Sequence, residues 1–422
     1  METQSLFVGH FPPFVHRYED GRVERLLTSS FVPASEDPAA GRGVATRDVV
    51  INRATGVSAR LFLPLRAAAA GRRLPLVIYF HGGSFCTESA FCRTYNRYAT
   101  SLAASSGALV VSVEFRLAPE HPIPAAYDDA WDSLRWASSP FSDPWIAAHA
   151  DTQRAFLAGD SAGGNIVYHT AVRAAREGAG VLDLLGLIMV QPYFWGPEWL
   201  PAERVWDGEA VLPATLVDKL WPFVTGFQAG NDDPRINPPR EEIATLRCRR
   251  VLVAVAEKDT LVHRGRALAA RMRENRWIGD GVTLVESEGE DHGFHLYSPL
   301  RATSKRLMNA VVEFINQPPE TIWTPPTAAA LLDQHRRYTL QEFEGKEALT
   351  PCHWGLSLPT RPFHSIMASG ADMGVGISSM PSNSLKITCH AKTTTKTRYA
   401  ATVDRGSVNP LPATLRGTKS FF

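Results

Sequence analysis

The chain has 422 residues, of which 44% are hydrophobic and 21% charged, with a formal net charge of +1. That balance fits a globular protein with a real core and gives no reason to expect a nucleic-acid or anionic-membrane partner. Its five cysteines (Cys86, Cys92, Cys248, Cys352, Cys389) are scattered without a Cys-x-x-Cys pair, so neither a zinc site nor a disulfide framework is expected.

The first residues, Met1-Glu-Thr-Gln-Ser-Leu-Phe, lack the basic region and long apolar run of a secretory signal. No stretch reaches the roughly 18 apolar residues of a membrane span. The expected location is cytoplasmic, with nuclear entry also open. Asp20-Gly21 between short β-like runs reads as a hairpin. Residues 33–43 read as a loop. Val44 to Leu63 alternates and reads as two strands around Gly56, closed by Pro64. Leu74 to Phe80 is a continuous apolar run, as a strand buried on both faces should be. A helix is expected over 94–105, a strand over 108–115 and a helix over 125–137. Strand-like 154–158 leads through Gly159-Asp-Ser-Ala-Gly163 into a helix from Asn165. Another strand follows at 184–190.

Residues 196–246 break this rhythm. They hold Trp199, Trp206, Trp221 and many prolines, and only 213–225 looks helical. We read them as an insertion over the sheet that forms a cap together with residues 1–40. Strand 250–256, helix 264–275, strand 282–287 and an amphipathic helix over 298–317 complete the pattern. Strands alternating with helices of ten or more residues predict an α/β fold: a mostly parallel sheet covered on both faces, occupying 1–318. Beyond Pro318 lysine, serine and threonine become dense and periodicity fades. Residues 319–422 are therefore expected to be a largely disordered tail.

Gly159, Ser161 and Gly163 fit Gly-x-Ser-x-Gly, a strained strand-to-helix turn that exposes a nucleophilic serine. A serine hydroxyl needs a histidine to take its proton and an acid to hold that histidine. Those partners must come from loops at the carboxyl ends of neighbouring strands. Strand 250–256 ends in Glu257-Lys-Asp259, and strand 282–287 ends in Glu288-Gly-Glu-Asp-His292-Gly-Phe-His295. We assign Asp259 as acid over Glu257, because a shorter carboxylate deeper in the loop can turn back across the sheet edge. We assign His292 as base over His295, because Gly293 marks a tight turn beside it. His263 follows Asp259 too closely to face it from another loop. Asp160 is read as structural, bonding neighbouring loop backbone. The order Ser161, Asp259, His292 is that of α/β-hydrolases. His81-Gly-Gly-Ser-Phe85 follows the first buried strand. We assign Gly82 and Gly83, joined by Ala162, as N–H donors to an oxyanion, with His81 bracing the loop.

These motifs resemble those of plant carboxylesterases of the hormone-sensitive-lipase-like group. So do Phe11-Pro-Pro-Phe14, Val113-Glu-Phe-Arg-Leu-Ala-Pro-Glu-His121 and Asp232-Asp-Pro-Arg-Ile-Asn-Pro238, in order over about residues 7–317. The resemblance implies an α/β-hydrolase core, an N-terminal and inserted cap, and cofactor-free hydrolysis of a small-molecule carboxylic ester through an acyl-enzyme. Ser84 stands where relatives often have a third glycine. Gibberellin receptors resemble this family but lack the catalytic histidine, and isoflavanone dehydratases carry threonine as nucleophile. His292 and Ser161 argue against both alternatives, hormone receptor and dehydratase. Phe85, the Trp-rich cap and the N-terminal segment are expected to wall the pocket, in a monomer or weak homodimer.

Overall fold

The computed structural model describes residues 7–318, apart from 12, 38, 40, 179, 205–209 and 275–280. The expected tail, 319–422, lies outside the described residues. Strands β1 (Phe7–Phe11), β2 (Val15–Tyr18) and β3 (Val23–Arg25) form a small antiparallel sheet. Gly21 turns β2 into β3 at φ 85°, the left-handed value for which Asp-Gly turns are selected. Strands β4 (Val44–Asn52) and β5 (Val57–Pro64) pair antiparallel, and a short helix, α1 (Leu65–Ala69), follows.

Next come β6 (Leu74–Phe80), α2 (Arg93–Ser106), β7 (Leu109–Glu114) and α3 (Ala125–Ser138). Helix α4 (Pro144–His149) was missed in the sequence, although its signal is there. Pro144 occupies the first turn, where a missing N–H costs nothing, and the Asp143 carboxylate accepts the Trp145 N–H at 2.8 Å. Strand β8 (Ala150–Asp160) starts ahead of the expected Arg154, because Ala150 already pairs with Leu74. Helix α5 (Ala162–Glu177) leaves the nucleophile turn, and β9 (Leu184–Val190) follows. The insertion carries α6 (Ala214–Val224) and α7 (Arg240–Ile243). Strand β10 (Arg250–Ala256), α8 (Val262–Glu274), β11 (Gly281–Ser287), α9 (Phe294–Tyr297) and α10 (Ala302–Asn316) end the described chain.

The main sheet has eight strands in the order β11-β10-β9-β8-β6-β7-β5-β4. All pairings from β11 to β7 are parallel, whereas β5 runs antiparallel to both its neighbours. The carboxyl ends of β6, β8, β10 and β11 therefore open onto one edge. Alternate residues of β6 feed different apolar clusters. Leu76, Ile78 and Phe80 pack with residues of α3, α5 and α8, while Val77 and Tyr79 pack with α2 and α10. That is why every residue of β6, β9 and β10 is buried and their sequences read as unbroken apolar runs. Strand β11 closes one side of the sheet and is half-buried or exposed up to its last residue, Ser287, which is buried.

The N-terminal segment is tied both to the insertion and to the sheet. Phe11 stacks on Phe223 of α6 with ring centroids 4.7 Å apart. Arg60 of β5, fully buried, binds Asp48 through two bonds of 2.7 and 2.8 Å and reaches the Val32 carbonyl at 2.7 Å.

Candidate active site

Ser161 sits at φ 51° and ψ −118°, a strained backbone conformation between β8 and α5. The glycines around it have a steric cause. A Cβ on Gly159 would stand 2.5 Å from the Gly163 carbonyl oxygen, and one on Gly163 would stand 2.0 Å from that of Phe80. Backbone bonds hold the turn: Ser161 N–H to the Val190 carbonyl at 2.9 Å, and the Tyr193, Gly164 and Asn165 N–H groups to the Ser161 carbonyl at 2.9, 3.0 and 3.3 Å.

The imidazole of His292 lies between the other two predicted residues. Its Nε2 is 3.0 Å from Ser161 Oγ and its Nδ1 is 2.8 Å from Asp259 Oδ2. Asp259 is buried, and its other oxygen accepts the Leu261 N–H at 2.9 Å, which fixes the carboxylate plane. Burial alone would lower the pKa of His292. The Asp259 carboxylate, with Asp160 and Asp291 adding to it, outweighs burial and raises it.

The competing residues stand apart from this chain of bonds. The Glu257 carboxylate accepts the Gly289 N–H at 2.7 Å and so pins the start of the base loop. His295 is buried edge-on to Tyr98, 5.4 Å between centroids, and burial pushes its pKa down to about 3. His263 lies on α8, its pKa lowered first by burial. His81 stacks on Phe115 at 4.3 Å and its Nδ1 lies 2.7 Å from the Gly82 carbonyl. Burial takes its pKa to about 4.

The oxyanion assignment needs correction at Gly82. Its N–H points to the Tyr95 hydroxyl at 2.9 Å and Asp160 Oδ1 at 3.1 Å, so that donor is already occupied. Asp160 also accepts from Tyr79 at 2.6 Å and Tyr95 at 2.8 Å. Burial raises its pKa to about 6 against those bonds. A Cβ on Gly82 would stand 2.5 Å from Asp160 Oδ2, which explains the first glycine. Gly83, Ser84 and Phe85 then run through successive left-handed conformations, φ 96°, 55° and 58°. Among the described residues no acceptor is found for the N–H of Gly83 or Ser84. The Ala162 N–H heads α5, where a helix has no internal acceptor. The unoccupied set is Gly83, Ser84 and Ala162. The N–H that Asp160 binds is lost to an oxyanion.

Phe85 meets Tyr193 and Trp221 edge-on, each at 5.9 Å, and Tyr193 stacks on Trp221 at 6.2 Å. Trp221 is fully buried and donates to Asp233 Oδ2 at 3.0 Å. The oxyanion loop, the segment after β9 and the insertion thus share one aromatic cluster. No group of three or more potential metal ligands occurs among the described residues.

Comparison with known proteins agrees with this architecture. A family profile described as alpha/beta hydrolase fold matches residues 77–296, which spans β6 through His292. The chain belongs to the alpha/beta hydrolase fold family. It is 41% identical to probable carboxylesterase 5 of Arabidopsis thaliana over 74% of this chain and 99% of that one. It is 40% identical to a 2-hydroxyisoflavanone dehydratase of Glycyrrhiza echinata, over 72% of this chain and 94% of that one. Tuliposide A-converting enzyme 1 of Tulipa gesneriana is also 40% identical, over 72% and 76%. Among α/β-hydrolase structures, an esterase of Pyrobaculum calidifontis superposes with a TM-score of 0.55 at 29% identity, covering 64% of this chain and 84% of that one.

Proposed function

We propose that this α/β-hydrolase is a serine carboxylesterase acting on small-molecule carboxylic esters. The observation that carries the reading is the continuous chain Ser161–His292–Asp259, at 3.0 and 2.8 Å, built from three strand ends of one parallel sheet. His292 takes the Ser161 proton as the hydroxyl oxygen attacks the ester carbonyl. Asp259 stabilises the imidazolium that forms. Gly83, Ser84 and Ala162 N–H groups receive the oxyanion, each worth about 3 kcal/mol of transition-state stabilisation. His292 then protonates the leaving alcohol, and a water activated by the same histidine releases the acid.

The dehydratase among the relatives raises a second chemistry. A serine rather than a threonine at the nucleophile, already bonded to its base, favours acyl transfer over elimination. The test is hydrolysis of p-nitrophenyl acetate together with labelling by a serine-directed organophosphate. Ser161→Ala should abolish both. His292→Ala should remove most hydrolysis, while His295→Ala leaves it largely intact; the reverse pattern would overturn the base assignment. Product analysis separates the chemistries, since a dehydratase releases water and an alkene where an esterase releases an acid and an alcohol.

A further inference from the structure

We propose that Gln191 is a positioning residue for the base, clamping the backbone on both sides of His292; this rests on the triad reading above. Gln191 follows β9 directly and is buried. Its Oε1 accepts the Gly293 N–H at 2.9 Å, and its Nε2 donates to the Asp291 carbonyl at 3.2 Å. These are the carbonyl before His292 and the N–H after it. The side-chain amide therefore pairs with residue 292 as a neighbouring strand's peptide would, at a place where the sheet has ended.

The residue type is demanding. Asn and Gln carry a donor and an acceptor side by side on one neutral planar amide, spaced like those of a peptide, and Gln has the longer reach. Turning the amide over would set N–H against N–H and oxygen against oxygen, so the two bonds specify one orientation. The backbone of Gln191 is also committed. Its φ is 47°, a left-handed value that a non-glycine residue keeps only where its surroundings over-determine it. Its N–H reaches the Ala254 carbonyl in β10 at 2.7 Å, on the strand that leads to Asp259. Two residues on, the Tyr193 N–H holds the Ser161 carbonyl. One short segment thus references the base loop to the acid's strand and to the nucleophile's turn.

The base loop needs such a reference. It follows a strand with a neighbour on one side only. Its other anchors are the Asp291 side chain, which accepts the His292 and Val211 N–H groups, Glu257 at Gly289, and Glu290, whose carbonyl accepts the Lys258 N–H at 2.9 Å and whose carboxylate accepts from Arg301 and Thr303. None of these side chains grips the backbone on both sides of His292.

Gln191→Met keeps the shape and removes both bonds. In p-nitrophenyl acetate hydrolysis it should lower kcat about 10- to 100-fold with little change in KM, because misplacing a catalytic group by an ångström has effects of that size. The decisive readout is the double variant. If Gln191 acts through His292, adding Gln191→Met to His292→Ala should cause no further loss, since residues that act as a unit are non-additive. Should Gln191→Met fail to fold, Gln191→Glu keeps the acceptor, loses the donor and enters the same cycle. Unchanged kcat in a folded variant, or losses that multiply in the double variant, would overturn the proposal. A His292→Ala enzyme as active as wild type would instead overturn the triad, whatever Gln191 does.

Discussion

At the scale of the residue, the electrostatics of His292 set a pH dependence. The carboxylates around it favour the imidazolium, so it stays protonated to higher pH than a free imidazole. A base must be neutral to accept the Ser161 proton. The acid limb of kcat/KM should therefore have its midpoint above about 6.5, the ordinary histidine value. Asp259→Asn should lower that midpoint and cut kcat by roughly a thousandfold or more, through loss of charge and tautomer control. A wild-type midpoint below the ordinary value would contradict the pairing. The sign for folding is opposite. The raised pKa stabilises the fold below the unfolded-state value and is lost as pH rises through the folded one. Ser161, Asp259 and His292, which the structure brings within hydrogen-bond reach, were legible in the sequence because the proposed chemistry dictates residue type and strand-end position. Gly82 and Gln191 went differently. Which N–H an acid captures, or which backbone an amide reaches 100 residues away, depends on packing that no local pattern encodes.

At the scale of the element, the strand–turn–helix unit around Ser161 is a steric device. Gly163→Ala would place a methyl 2.0 Å from the Phe80 carbonyl oxygen, a backbone atom that cannot swing aside. We expect this variant to lose about 2 kcal/mol or more of stability, measured by denaturant unfolding, because overpacking a tight contact forces backbone shifts. The shift should also reach the oxyanion loop, which begins at the next residue, so activity should fall further than stability. Unbroken apolar runs made β6, β9 and β10 legible from the sequence to within a residue. Short elements were harder. Helix α4 is announced by its Asp143-Pro144 start but is too brief for periodicity, and α1 hides in a run of alanines that also suits a loop.

At the scale of the whole molecule, the parallel sheet brings residues far apart in sequence to one edge, and the order of its strands decides how firmly each is held. Strands β6, β8 and β10, which carry the proposed oxyanion loop, nucleophile and acid, each have a neighbour on both sides. That placement was legible only as a rule about strand ends, because sequence order does not reveal which strand lies outermost. Strand β11, which leads to the proposed base, has one neighbour among the described residues. The catalytic machinery is therefore unequally insured against heat. On warming, amide hydrogens of 281–287 should exchange before those of 155–160, and esterase activity should disappear below the temperature at which the tryptophan fluorescence reports global unfolding. The protein would then fail first as a catalyst and only later as a fold, with the serine still in its turn and no proton acceptor beside it.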